Sequence, residues 1–378
     1  MLSSAPPGPS RPIVNATPTE RRLLGLIHRA GEITQADITR AMEVGQPAVS
    51  RLVASLAHQG LLRLGPSAPR GRGQPSATLS LVPDFAFGMG VSLLGDSVAV
   101  SLVDFSGRPR WAGVRAMPVM ARDPVAVALK EMKADMLAES GISPDRIAGA
   151  GAGVSAFFVG EGELMNPPSL LDDWALVEIA PLLSGILELP VRVDNDGNVA
   201  CMGEGLLGVG RRHRSFAYFQ ITNGFGGGIV IDGSPCRGAF GNAGEFAAVW
   251  QAMGIEHPNL ERLRRLMAEH GTRFATVSDM LVDLDVMSSG VDAWLAEAGP
   301  AFSVAATAAS AVIDCEAVVL GGRIPHSLAL RLAGRMTIAG TERRGRPRPL
   351  PVILPAEAPG DAVALGAAML ALQPAYFL

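Results

Sequence analysis

Apolar positions along this chain change their period twice. Near the start they fall three and four residues apart: Leu23, Leu24, Leu26 and Ile27, then Ile38, Ala41 and Met42, then Val49, Leu52, Val53 and Leu56. Three short helices are predicted. Thr17-Pro18-Thr19-Glu20 opens the first, with a hydroxyl N-cap, proline at the first helical position and a glutamate placed to close a capping box; Gly31 ends it. Thr34, with Asp37 three residues on, opens the second, and Gly45-Gln46-Pro47 the third. Leu61–Leu64 and Ala77–Leu81 are short strand-like runs on either side of Pro69-Arg70-Gly71-Arg72-Gly73-Gln74-Pro75. From Phe85 strands and helices alternate. Gly88–Val103 is apolar and turn-punctuated and ends in Asp104-Phe105-Ser106-Gly107; Phe216–Ile231 repeats the pattern and ends in Asp232-Gly233-Ser234. Two such units predict a duplicated lobe with a cleft between the halves.

Three tight helices followed by two strands make a winged helix-turn-helix, whose third helix would lie in a DNA major groove. Its outer face offers Gln46, Pro47, Ser50, Arg51 and Ser55, and the wing tip offers Arg70 and Arg72 to phosphates or the minor groove. Charge separates this reading from its alternative, a three-helix protein-binding module. Residues 1–82 hold nine Arg and four acidic residues, while the remainder carries 23 basic against 32 acidic residues. A basic head on an acidic body implies two partners of different chemistry, the first of them duplex DNA.

At 378 residues and 48% hydrophobic, the chain can bury a large core and should divide into several domains. The expected divisions are a disordered leader at 1–16, the winged head at 17–82, a first lobe at 83–200 and a second lobe at 201–378 whose final helix packs back. Cys201, Cys236 and Cys315 are far apart and odd in number, which fits a reducing compartment and no disulfide framework. The start is rich in Pro, Ser and Gly without the apolar core of a signal sequence, and no apolar run reaches the roughly 18 residues of a membrane span. A cytoplasmic protein is expected.

The chemistry-bearing residues cluster between Val193 and Phe246. Asp194-Asn195-Asp196-Gly197-Asn198 follows a strand-like Val191–Val193, which places Asp196 as a general base for a hydroxyl. An Asx-turn leading into a helix near Asn198 accounts for the same residues. Thr222-Asn223-Gly224-Phe225-Gly226-Gly227-Gly228 reads as a hairpin turn, and its glycines would let backbone N–H groups approach phosphate. Gly241-Asn242-Ala243-Gly244-Glu245 adds a second carboxylate.

With Val49-Ser50-Arg51-Leu52-Val53, Leu102-Val103-Asp104, Met165-Asn166-Pro167-Pro168 and Leu320-Gly321-Gly322, these motifs stand in the order found in the ROK family (repressor, open reading frame, kinase), which the chain resembles from about Thr17 onward. The resemblance implies an α/β protein: an N-terminal winged helix-turn-helix, then a two-lobed actin-like ATPase (ribonuclease H-like) sugar-kinase fold. It places Asn166, Asn195, Asp196 and Glu245 as sugar ligands, with Asp196 the catalytic base should the chain be a kinase. Leu365-Gly366-Ala367-Ala368 corresponds to the family's closing helix.

The chain departs from the kinases of that family. Their first phosphate loop, Asp-Ile-Gly-Gly-Thr, falls on Ser92-Leu93-Leu94-Gly95-Asp96, where a serine replaces the metal-managing aspartate and Asp96 would repel a triphosphate. Gly95, Gly224, Gly226 and Gly227 are then a vestigial phosphate loop. Ala248 stands where the family's zinc-binding histidine would be, and 251–269 contains no cysteine. No zinc or other cofactor is expected; ATP and magnesium enter only under the kinase alternative. The sequence therefore predicts a DNA-binding regulator, a repressor, that senses a sugar or sugar derivative and acts as a homodimer on an inverted repeat. The alternative is an ATP-dependent sugar kinase of glucokinase or amino-sugar type.

Overall fold

The computed structural model describes residues 16–68, 76–160 and 164–377. The expected leader lies outside them except for Ala16, and so do the wing arginines Arg70 and Arg72.

The head runs α1 (Pro18–Ala30), β1 (Glu32–Thr34), α2 (Gln35–Met42), α3 (Gln46–His58), β2 (Leu62–Ala68) and β3 (Ser76–Leu81). The capping box of α1 is closed. The Thr17 N–H donates to Glu20 Oε2 at 2.8 Å, and the Glu20 N–H donates to Thr17 Oγ1 at 3.4 Å. Leu23, Leu24, Ile27, Ile38, Met42, Val49, Val53 and Leu56 are buried together, whereas Ala41 faces solvent and Leu26 and Leu52 are only half-buried. β1 pairs with β3 on the side away from β2, which makes the wing a three-stranded sheet.

Both lobes share one topology. The first sheet comprises β4 (Phe87–Leu93), β5 (Ser97–Asp104), β6 (Pro109–Ala116), β7 (Ile147–Val154) and β10 (Val191–Asn195), in the order β10-β7-β4-β5-β6. α4 (Arg122–Ser140), the hairpin β8 (Phe157–Val159) and β9 (Leu164–Asn166), and α5 (Ile179–Leu187) are its insertions. α6 (Asp196–Leu207) leads to the second sheet: β11 (Phe216–Ile221), β12 (Phe225–Ile231), β13 (Ser234–Pro235), β14 (Ala317–Gly322) and β17 (Val352–Pro355), in the order β13-β12-β11-β14-β17. In each sheet the first three strands form an antiparallel meander, and the last two add in parallel on the other side of the first strand. The second lobe also carries α7 (Ala247–Ala252), α8 (Leu260–Glu269), α9 (Val277–Val282), α10 (Ser289–Ile313), α11 (His326–Ala333) and the small hairpin β15 (Glu342–Arg343) and β16 (Arg346–Pro347). α12 (Ala362–Tyr376) ends the chain's helices.

α12 crosses α6 and lies on the first-lobe strands β4 and β7. Glycines make this possible: a Cβ on Gly366 would sit 1.8 Å from the Val199 carbonyl oxygen, and one on Gly203 would sit 2.4 Å from that of Ala362. The far end of α12 enters the head. Leu372, Tyr376 and Phe377 belong to the same apolar cluster as Leu23, Leu24 and Ile27, through Phe85 and Phe105. Arg21 Nη2 donates to the Phe377 carbonyl at 3.1 Å.

α10 is 25 residues long and apolar enough on average to cross a membrane, although Asp292, Glu297 and Pro300 interrupt it. Its hydropathy comes from scattered Ala, Val and aromatic residues rather than an unbroken run, and Trp294, Phe302 and Ala305 are buried in the second-lobe core.

Candidate functional site

Asn195 is the N-cap of α6, its side chain accepting from the Asn198 N–H at 3.1 Å. Its amide also donates to the Ala156 carbonyl at 2.6 Å. Each polar atom thus has one partner within the chain, so Asn195 positions the helix start and keeps one amide N–H and one oxygen lone pair beyond those bonds. Asp194 is likewise structural: it takes an ion pair from Arg237 Nε at 3.0 Å and hydrogen bonds from the Asn195 N–H and Asn198 Nδ2. Sequence reasoning did not single out Arg237, which also lies 5.3 Å from the Phe158 ring centre.

The start of α6 rests directly on the β11–β12 hairpin. A Cβ on Gly197 would fall 2.1 Å from the Gly227 carbonyl oxygen. This corrects the reading of the glycine run. The turn covers only 222–224, while Gly226, Gly227 and Gly228 lie inside β12; Gly227 and Gly228 admit the Gly244 backbone and the helix start, and Gly226 lies beside Asp196, where a Cβ would sit 3.6 Å from Oδ1. Within the run, Gly224 stands in open space, and Gly95 faces the Leu170 side chain.

Asp196 is buried at the head of α6. Burial pushes its carboxyl up to about 7; the Gly197 N–H and Ser155 pull it down, and the nearby Glu245 and Asp361 charges add to the rise. Glu245 is half-buried and raised by burial alone, with no side-chain donor reaching it among the described residues. The loop carrying it is fastened to the first lobe: the Phe158 N–H donates to Asn242 Oδ1 at 2.8 Å, and Asn242 Nδ2 donates to the Phe158 carbonyl at 2.9 Å. Phe158 is in β8, whose hairpin partner β9 ends at Asn166, half-exposed opposite Phe157. Asp196 and Glu245 therefore lie close together, with Ser155 a further neighbour that no motif announced, and Asn166 sits on the hairpin to which the Glu245 loop is fastened. Two carboxylates lacking a full set of donors suit a ligand rich in hydroxyls.

The raised Asp196 carboxyl sets a pH dependence. A carboxyl with a folded value above its ordinary one contributes stability that is present below the ordinary carboxylate range and lost as pH rises through about 7. Hydroxyl donors favour the ionised form, so sugar affinity should rise with pH through that same region. Calorimetric titration of a bound sugar at a series of pH values should show this rise in the native protein and a flat profile in Asp196→Asn.

At the other end of the cleft, Asp96 does not stand bare before a triphosphate. Arg323 Nη1, just after β14, reaches Asp96 Oδ1 at 2.6 Å, and the Ser278 hydroxyl donates to Asp96 Oδ2 at 2.8 Å. The same guanidinium donates to Asn223 Oδ1 at 3.1 Å. Ser92 is buried in β4 with its hydroxyl close enough to Asp361 to lower that carboxyl against the rise that burial imposes. The position expected to repel phosphate is therefore a cross-lobe ion pair that fills the space instead.

In the head, Gln46, Pro47, Ser50, Arg51 and Ser55 are all exposed on one side of α3. Ser50 accepts from Gln35 Nε2 at 2.6 Å and Ser55 from Gln59 Nε2 at 3.0 Å, which fixes two of the five.

A winged helix head mounted on a two-lobed, sugar-kinase-like body defines the class. The ROK family model matches residues 90–249 and a MarR family model matches 15–73. The chain thus carries a ROK family domain behind a MarR-type winged helix domain. An uncharacterised protein of Sinorhizobium fredii is 28% identical over 335 residues, 88% of this chain and 84% of that protein. The xylose repressor of Caldicellulosiruptor bescii is 26% identical over 216 residues, 56% of this chain and 53% of the repressor. Among solved structures, a ROK family transcriptional regulator homologous to the E. coli MLC protein superposes with a TM-score of 0.61 at 15% identity, over 95% of this chain and 96% of that one. A ROK glucokinase from Streptomyces griseus, in complex with glucose and AMPPNP, gives 0.60 at 19% identity, over 76% of this chain and 100% of the enzyme.

Proposed function

We propose that this chain is a cytoplasmic DNA-binding transcriptional repressor whose cleft senses a sugar or sugar derivative through Asn166, Asp196 and Glu245, without a metal or other cofactor. The carrying observation is mechanical. Asp361, the N-cap of α12, faces Asp196 closely enough to raise its pKa, and the far end of α12 is part of the head's own core. A ligand that moves or neutralises Asp196 acts on one end of a helix whose other end carries the DNA-binding unit, which is coupling between two distinct sites. The C. bescii relative, a xylose repressor by name, supports the sugar class.

The head has little surface for a long operator, so we propose a homodimer on an inverted repeat, with half-site centres about 10 base pairs or a multiple of that apart. The kinase alternative has in its favour the intact Asp196 and the likeness to glucokinases, but Ser92 replaces the metal-managing aspartate of the family's first phosphate loop, and Asp96 in that segment is tied to Arg323. The test is operator binding by fluorescence anisotropy with and without D-xylose, D-glucose and N-acetylglucosamine. One of them should change operator affinity by about 5- to 150-fold, and Glu245→Gln should erase that response while leaving sugar-free DNA binding intact. A sugar that binds by calorimetry yet never alters DNA affinity would overturn the regulatory reading.

A further inference from the structure

Beneath α1 the head and the body enclose a second cavity of about 510 Å³, separate from both the carboxylate cleft and the exposed side of α3. Arg29 and His28 line it from the head. Arg211 and Arg214, which follow α6, line it from the body, and Met369 and Phe377 at the end of α12 form part of its apolar wall. Its size is that of a small-molecule site.

Arg211 Nε donates to the Leu206 carbonyl at 3.3 Å and Arg214 Nη2 to the Asp232 carbonyl at 2.9 Å, both neutral acceptors, and among the described residues no ion pair holds either guanidinium. Glu316 is near, but it accepts from the Arg214 backbone N–H at 2.8 Å and lies 3.7 Å from His213 Nδ1, and no ion pair joins it to either guanidinium. The crowding acts on the neighbours. Burial and then Arg214 hold Arg29 below its ordinary range, and burial, then Arg29 and Arg211, lower His28 to about 4. The C-terminal end of α1 opposes an anion through its dipole, a weaker effect than charge-assisted contacts from guanidinium groups.

We propose that this cavity binds a small organic anion with an apolar body, its phosphate or carboxylate held by Arg211 and Arg214 and its body against Met369 and Phe377. Guanidinium forks match both anion types in geometry. Such a ligand touches the head on one side and the body on the other, and so ties them together independently of the sugar cleft. The binding claim does not depend on the DNA-binding reading; only its consequence for operator affinity does.

The full-length protein, without DNA, is titrated calorimetrically with phenyl phosphate, benzoate and phenol. Saturable binding of phenyl phosphate or benzoate is expected, with phenol much weaker, and whichever anion binds more tightly identifies the headgroup. Arg211→Ala/Arg214→Ala should weaken that binding by about tenfold or more, as expected for lost charge-assisted contacts. Both arginines are exposed, so the melting temperature of the ligand-free variant should hold. Gly205→Leu keeps the arginines and fills the cavity, since a Cβ there meets only Phe216 at 3.9 Å; it should abolish binding. Glu245→Gln should leave binding unchanged, which separates this site from the cleft. Binding of neither anion, phenol binding as tightly as phenyl phosphate, or full affinity in the arginine double variant would each overturn the proposal.

Discussion

Gln46→Ala/Arg51→Ala should cost this protein about 10- to 1,000-fold in operator affinity while leaving its fold and sugar binding untouched. Both side chains are exposed at the start of α3, and the helix is anchored from its opposite face by Val49, Val53 and Leu56. Alanine is at least as good a helix former as either residue, so the variant loses contacts and not structure. A bidentate contact from either residue to a base edge is worth about 1–3 kcal/mol of discrimination. If Arg51 instead meets a phosphate, the slope of log affinity against log salt should fall by about one unit in Arg51→Ala alone. Anisotropy titrations across a salt series separate the two roles. An operator affinity within about twofold of the native value would remove α3 from the interface and return the head to a protein-binding module.

The head was legible because its signals are local. The Thr17–Glu20 box, the N-cap at Thr34 and the i, i+3, i+4, i+7 pattern of α3 each lie within a few residues, and each appears where its residues place it. The short β1 was missed because three residues, Glu32–Thr34, acquire strand geometry only by pairing with Thr78–Ser80. The duplicated lobes were readable from two apolar hairpins, and the shared strand order follows from them.

The cleft was harder. Asp196 and Glu245 were visible as carboxylates beside glycines, but whether a polar group is free depends on partners far along the chain. Asn195 looks like a ligand in sequence and is also held by Ala156 and Asn198 as the helix N-cap. Asp96 looks like a bare charge and is answered by Arg323, 227 residues away. Glycine is ambiguous in the same way: the run at 224–228 reads as a phosphate cradle, yet Gly227 and Gly228 are what lets α6 touch β12.

The largest expected separation between the two functional readings lies in turnover. With millimolar ATP and magnesium and a panel of hexoses and amino sugars, the native protein should release ADP no faster than a sugar-free control. Asp196→Asn should weaken sugar binding, because an ionised acceptor makes stronger hydrogen bonds than an amide, without changing that baseline. A working kinase would instead lose about 100- to 10,000-fold in rate on removal of its general base. The cross-lobe pair supplies the second arm. Arg323 and Asp96 retain only 17% and 16% of their side-chain exposure, so Arg323→Ala leaves a carboxylate poorly solvated and without its cation. That should lower stability by about 1–3 kcal/mol, read from denaturant midpoints. If the pair merely plugs an otherwise competent nucleotide site, Arg323→Ala/Asp96→Thr should gain sugar-dependent ADP release. If Ser92 and the remodelled loop have also lost the metal-managing carboxylate, the double variant should stay at baseline, and this second outcome is the expected one. Sugar-dependent turnover by the native protein, abolished in Asp196→Asn, would show that ATP is accommodated despite Arg323 and that the chain is a kinase.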